Sequence, residues 1–187
     1  MMKKYVFLVC CLVSAVVVFP PMCSSGVSSP TVKMTLVKNR GGIADLDSQR
    51  NVEYSRTYEV SEVSVDYSDS MLEIPGVGKM GFKDDFFADY TTIMFVPKGE
   101  LYVFKVTSDD GFRLTIDGKV VAEHPENRPM TETKGEVYLE RGEHTLVLNY
   151  YQGYGPLGLE TSYGRKKGSK TATIGRNSGG VKFKLPK

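Results

Sequence analysis

Ser108-Asp109-Asp110-Gly111-Phe112-Arg113-Leu114-Thr115-Ile116-Asp117-Gly118-Lys119-Val120-Val121 is the stretch on which the fold turns. Phe112, Leu114 and Ile116 alternate with Arg113 and Thr115, the period of two expected of a strand with one buried face. Asp117-Gly118 then interrupts the pattern before Lys119-Val120-Val121 resumes it, and Asp-Gly between such segments is a strong hairpin signal. Upstream, Ile93 to Val96 and Leu101 to Val106 are nearly continuous apolar runs, divided by Pro97-Lys98-Gly99, which reads as a turn between two buried strands. Val32, Met34 and Leu36 alternate with polar neighbours, as do Val63, Val65 and Tyr67. Val137 to Leu139, a turn at Arg141-Gly142, and Thr145 to Tyr151 read as a further strand pair. No amphipathic helix of 12 or more residues stands out after the N-terminus. The pattern predicts an all-β fold, an antiparallel β-sandwich or partly closed barrel.

The 187 residues suit one ordinary domain with small appendages. The first 25 read as an export signal: Met1-Met2-Lys3-Lys4 is a short positive region, and Tyr5 to Phe19 is an apolar run of 15 residues. That run fits a secretory signal and is shorter than a membrane helix. Cys23-Ser24-Ser25-Gly26 suits signal-peptidase cleavage, while a lipid on Cys23 is the alternative that would tie the protein to a membrane. Cys10, Cys11 and Cys23 all belong to this segment, so the domain must stand on its core without disulfides. Net charge is +2, but positions 27–160 carry 14 basic and all 22 acidic residues, whereas 161–187 carry eight basic residues and no acid. The chain therefore divides into a signal (1–25), an acidic β domain (31–163) and a basic Gly/Ser/Lys-rich tail (164–187). Val181, Phe183 and Leu185, alternating with Lys182 and Lys184, make an edge strand possible at its end. The overall charge argues against nucleic acid as partner, while the tail leaves an anionic polymer open.

Asp109-Asp110 is the most informative chemical feature. Adjacent side chains of a regular strand point to opposite faces, so the two carboxylates converge only if the strand breaks, and Gly111 offers a break. Calcium takes six to eight oxygens. Two carboxylates supply at most four, so a second loop must contribute. An ordinary polar turn, with carboxylates capping backbone N–H groups, accounts equally for the pair. Asp84-Asp85 is a second acidic pair, and Asp117 belongs to the hairpin turn. His124 and His144 have no histidine or cysteine at metal spacing. A glycosidase would need two acids about 5–9.5 Å apart across a sugar, and no spacing supports pairing Asp109 with Glu126 or Glu132. No enzyme activity is expected.

From Leu101 to Val121 the sequence resembles the central signature of the protective-antigen-type, or PA fourteen, domain. The resemblance is strongest over 84–163 and includes Asp85-Phe86, Tyr90 to Val96, Gly135 to Leu139, Gly142-Glu143-His144, Leu148 to Tyr151 and Leu157-Gly158-Leu159. It implies a β-sandwich module of secreted and surface proteins, generally one that binds carbohydrate. In the fungal adhesin branch two aspartates joined by a cis peptide hold calcium, and Asp109 and Asp110 match that pair. The branch's asparagine, soon after the penultimate strand, is replaced here by Gln152 within Tyr151-Gln152-Gly153-Tyr154-Gly155. The resemblance thus implies Asp109, Asp110 and Gln152 as calcium ligands, with Tyr151 and Tyr154 able to stack on a sugar. The expected protein is an exported glycan-binding module of the cell surface or surroundings. The alternative is a structural or adhesive module that contacts other surface proteins or matrix without sugar or calcium.

Overall fold

The computed structural model describes residues 29–168 and 170–187; the segment expected to be an export signal, with its cysteines, lies outside the described residues. The described chain forms strands and no helix. The first five are β1 (Val32–Asn39), β2 (Val52–Val60), β3 (Val65–Ser68), β4 (Glu73–Ile74) and β5 (Gly78–Lys79). Next come β6 (Phe86–Val96), β7 (Glu100–Asp109), β8 (Phe112–Ile116), β9 (Lys119–His124) and β10 (Thr131–Leu139). The last four are β11 (Gly142–Gln152), β12 (Leu157–Arg165), β13 (Thr171–Ala172) and β14 (Lys182–Lys184).

They build an antiparallel sandwich, not a closed barrel. One sheet runs β2-β1-β6-β11-β8-β9, with β14 also on β6; the other runs β10-β7-β12-β13, with β3 also on β12. Alternation along each strand sends Met34, Leu36, Tyr90, Leu114, Leu148 and Tyr150 inward from the first sheet, against Tyr102, Phe104, Val106, Leu159 and Tyr163 from the second. This shared apolar burial holds the layers together.

The Asp117-Gly118 hairpin forms between β8 and β9, both turn residues having positive φ (51° and 76°), as a type I′ turn requires. Two expectations change. Ile93, Phe95, Leu101 and Val103 are only half-buried, because β6 and β7 each pack one face on the core. Nor do β10 and β11 pair: β10 lies on β7, while β11 lies between β6 and β8. Arg141-Gly142 therefore carries the chain from one sheet to the other, as Pro97-Lys98-Gly99 does between β6 and β7.

The basic tail is built into the sandwich. β14 continues the edge of β6 where β1 stops, and the buried Thr92 hydroxyl ties the two, donating to the carbonyls of Thr31 (2.7 Å) and Lys184 (3.2 Å). Phe183 packs edge-on against Tyr163, and Ile174 and Val181 are buried. Arg165, Lys166, Arg176 and Lys184 meet Glu100, Glu136, Glu62 and Glu143. The tail's charge is thus partly spent on the acidic domain itself.

Candidate functional site

Asp109 ends β7 in one sheet and Phe112 begins β8 in the other, so Asp110-Gly111 alone spans the interlayer gap. The Asp109-Asp110 peptide is cis. No side chain fits at 111: a Cβ there would lie 2.5 Å from Tyr151 Cε1 and 2.7 Å from the His124 carbonyl. Both aspartates are largely buried, and three connections converge on them: β1–β2, β9–β10 and β11–β12.

Asp110 Oδ2 accepts from the Gly153 amide (2.9 Å) and Oδ1 from the Arg128 amide (3.3 Å), while Asp109 accepts from the Met130 amide. Burial, reinforced by the neighbouring Asp110 charge, pushes the Asp109 carboxyl up to about 6. Asp110 is also raised, chiefly by burial, although its two amide donors oppose the shift. The nearby cation is Arg128, whose guanidinium is held by Ser108 (2.8 Å) and Thr133 (2.7 Å) and lies over the Phe112 ring. Ser108 in turn donates to the Asp110 carbonyl (2.6 Å). The carboxylates are therefore held in place and short of positive charge.

The other expected site residues separate sharply. Gln152 shares the inward parity of Tyr150 and is fully buried; its Oε1 accepts from the Tyr150 hydroxyl (3.0 Å) and its Nε2 donates to the Pro156 carbonyl (2.8 Å). Its amide braces the carbonyl side of the pair, where Tyr150 also donates to Asp109 O (2.5 Å), and it is not turned toward the carboxylates as a ligand. Tyr151 has the outward parity but is buried as well, because the β1–β2 loop closes over it with Ile43 and Leu46, beside Phe87. It therefore has no face free for a sugar. Tyr154 is 85 % exposed, with Lys83 near its ring.

Sequence reasoning missed Asn127. Its Oδ1 accepts from the Tyr151 hydroxyl (2.6 Å), and it stands beside Asp110 Oδ2 and the Ile43 carbonyl: these oxygens lie 3.7, 3.3 and 3.0 Å from the Cβ position of Gly153. Proximity in sequence to the turn at Pro125 to Pro129 carried no signal for this, since the loop is brought to the pair by β9 and β10 pairing with different sheets. Tyr67, which alternates with Val63 and Val65 in the sequence, is 58 % exposed and borders Gly158, the partner of Asp109 across β7 and β12. Asp84-Asp85 is scaffold: Asp85 Oδ1 accepts from the Ile43 amide (3.2 Å) and Asp84 Oδ1 from the Gly155 amide (3.3 Å).

Calcium requires hard oxygen donors. Asp109, Asp110, Asn127 Oδ1 and the Ile43 carbonyl are donors of that kind, and they fit such an ion in chemistry. Among the described residues, no three His, Cys, Asp or Glu side chains form a metal cluster, so a calcium shell here would draw on carbonyl and amide oxygens, water or ligand hydroxyls beside the two carboxylates.

A sandwich with this loop constellation defines a recognisable class of module. The PA14 domain family matches residues 52–174, and the chain belongs to it. Among solved structures, it is similar to the PA14 domain of the MpAFP antifreeze protein (16% identity, 87% of this chain and 95% of that one, TM-score 0.66). It is also similar to a PA14 sugar-binding domain from an RTX adhesin (15%, 79% and 96%, 0.62). A third is the Epithelial Adhesin 9 A domain of Candida glabrata, in complex with Galβ1-4GlcNAc (13%, 84% and 90%, 0.63). None of the curated proteins matches the chain.

Proposed function

We propose that this chain binds glycans at the Asp109-Asp110 end of the sandwich, with a calcium ion held there. The observation that carries the reading is the pair itself: two buried carboxylates, fixed by backbone amides, lie among oxygen donors on converging loops with Arg128 as the nearby counter-charge. Asp109 and Asp110 would hold the ion, with Asn127 Oδ1 and the Ile43 carbonyl replacing the expected Gln152. Bound calcium would offset the carboxylate charge and offer coordination positions to sugar hydroxyls. Tyr154 and Tyr67 present exposed rings on which the apolar face of a sugar can lie. Sugar-binding domains among the similar structures support the ligand class. The N-terminal segment is consistent with a secreted or surface protein, and the reading assigns no catalytic step.

Calorimetric titration with calcium, followed by a glycan array with and without chelator, tests this on wild type and on Asp109→Ala/Asp110→Ala. Calcium binding and chelator-sensitive glycan binding are expected in wild type alone. Glycan binding that survives both chelator and the double substitution would refute the mechanism.

A further inference from the structure

An exposed strand edge is a template for another strand, and natural sheets blunt such edges with lysine, proline, bulges, short length or covering structure. Most edges of this sandwich are protected in that way. β14 carries Lys182 and Lys184, β13 has two residues and β3 four. β9 and β10 abut, so closely that a Cβ on Gly135 would lie 2.1 Å from the Val121 carbonyl. β2 is the least protected: apart from an irregularity at its first residue and the charges of Glu53, Arg56 and Glu59, nothing blunts it. It spans nine residues, Val52–Val60, ends its sheet, contains neither lysine nor proline, and is exposed along most of its length. Its pairing with β1 is regular except at Asn39, at the strand's end.

We infer that the free edge of β2 pairs antiparallel with β2 of a second copy of this chain, about a two-fold axis at Ser55. The charge pattern excludes one register, and the exposed apolar side chains choose between the two that remain. Val52-Glu53-Tyr54-Ser55-Arg56-Thr57-Tyr58-Glu59-Val60 reads almost identically in both directions about Arg56. An axis at Arg56 itself is repulsive, since it opposes arginine to arginine and Glu53 to Glu59. Moving the axis to Ser55 places Tyr54 opposite Arg56 of the second copy, Glu53 opposite Thr57, and Val52 opposite Tyr58. No like charges then stand directly opposite; Arg56 and its symmetry mate, and Glu53 and Glu59, meet only on the diagonal. An axis at Thr57 also avoids like charges, but it sets Tyr54 against Val60, which is already buried, and leaves Val52 uncovered. The Ser55 axis covers Val52 and Tyr54, which are 51 % and 38 % exposed.

Arg56 gives this arrangement a purpose. Its guanidinium lies 5.3 Å from the centre of the Tyr58 ring. Tyr54, Arg56 and Tyr58 line one side of an open cleft of about 540 Å³, with Met80 and Phe82 opposite. Pairing at Ser55 would set Arg56 beside Tyr54 of the second copy, a cation–aromatic contact made twice by symmetry.

Sedimentation equilibrium of the purified chain, over about 1 µM to 1 mM, tests the inference, with amide hydrogen exchange as a residue-level readout. A concentration-dependent dimer with newly protected β2 amides is expected. Ser55→Lys and Ser55→Glu should each weaken it, on the order of tenfold, by placing like charges across the axis. Mixing the two variants should restore it. Thr57→Lys should tighten the dimer, because the new charge faces Glu53. A chain that stays monomeric overturns the inference, as does a dimer whose β2 amides remain unprotected or whose mixed Ser55 variants are not rescued. Weakening by Thr57→Lys overturns the register. Protection of β2 only in the presence of a different protein would assign the edge to a foreign strand instead.

Discussion

Replacing Asp109 by Asn should stabilise the metal-free protein at neutral pH while removing its affinity for calcium. The carboxyl titrates at about 6 against an ordinary 3.8, because it is buried and lies beside Asp110. The folded state thus holds this proton more tightly than the unfolded chain. Its stability is greatest below about pH 4, declines as pH rises toward 6, and carries the whole penalty above that. At 1.36 kcal/mol per pH unit the shift corresponds to roughly 3 kcal/mol, and partial solvent access reduces the expected effect to about 2 kcal/mol. Asn keeps the shape and an acceptor for the Met130 amide but cannot ionise. Urea unfolding in chelator, at pH 4 and at pH 7.5, should therefore find the variant about 2 kcal/mol more stable at pH 7.5 and nearly equal to wild type at pH 4. Calcium should reverse the order, since a ligand at 100 times its Kd adds about 2.7 kcal/mol to wild type alone. A variant less stable than wild type in chelator at pH 7.5 would show that Asp109 is already satisfied, and the charge argument for a cation would fail.

Tyr154→Ala should weaken glycan binding on the array by about tenfold while leaving Tm unchanged, because the ring is exposed and supports no core contact. Phe183→Ala should cost about 3 kcal/mol in denaturant unfolding, the usual loss for a buried phenylalanine; a negligible loss would mean that the tail does not belong to the fold. His144 is disfavoured as a cation by burial, but Asp117 Oδ2 (2.7 Å from Nδ1) and the Glu140 carbonyl (2.9 Å from Nε2) outweigh this and raise its pKa. Its stabilising contribution is complete below about pH 6.5 and is lost as pH rises through the raised value. Wild type should therefore exceed His144→Gln by about 0.5 kcal/mol at pH 5.5 and by less at pH 8.5.

Much of the fold was legible because burial on one face imposes a period of two. Val32, Met34 and Leu36, or Phe112, Leu114 and Ile116, announce strands without reference to any partner. β2 escaped for the same reason: lying at an edge and exposed on both faces, it has no burial pattern to betray it. Strand pairing was also out of reach, since the turn at Arg141-Gly142 looks alike whether it closes a hairpin or crosses between layers.

At the site, local chemistry and tertiary placement divide clearly. The paired carboxylates, the break offered by Gly111 and the strand running to Tyr151 were all readable from the residues alone. Only the folded structure decided that the β1–β2 loop would bury Tyr151, that the parity of Gln152 would aim its amide into the protein, and that Asn127 would stand beside Asp110. Parity is a property of the local backbone, whereas what covers each face depends on segments over 20 residues away in the chain. The tail shows the same division: its charge is evident in the composition, but its pairing with Glu62, Glu100, Glu136 and Glu143 arises only when β12 to β14 close the sandwich.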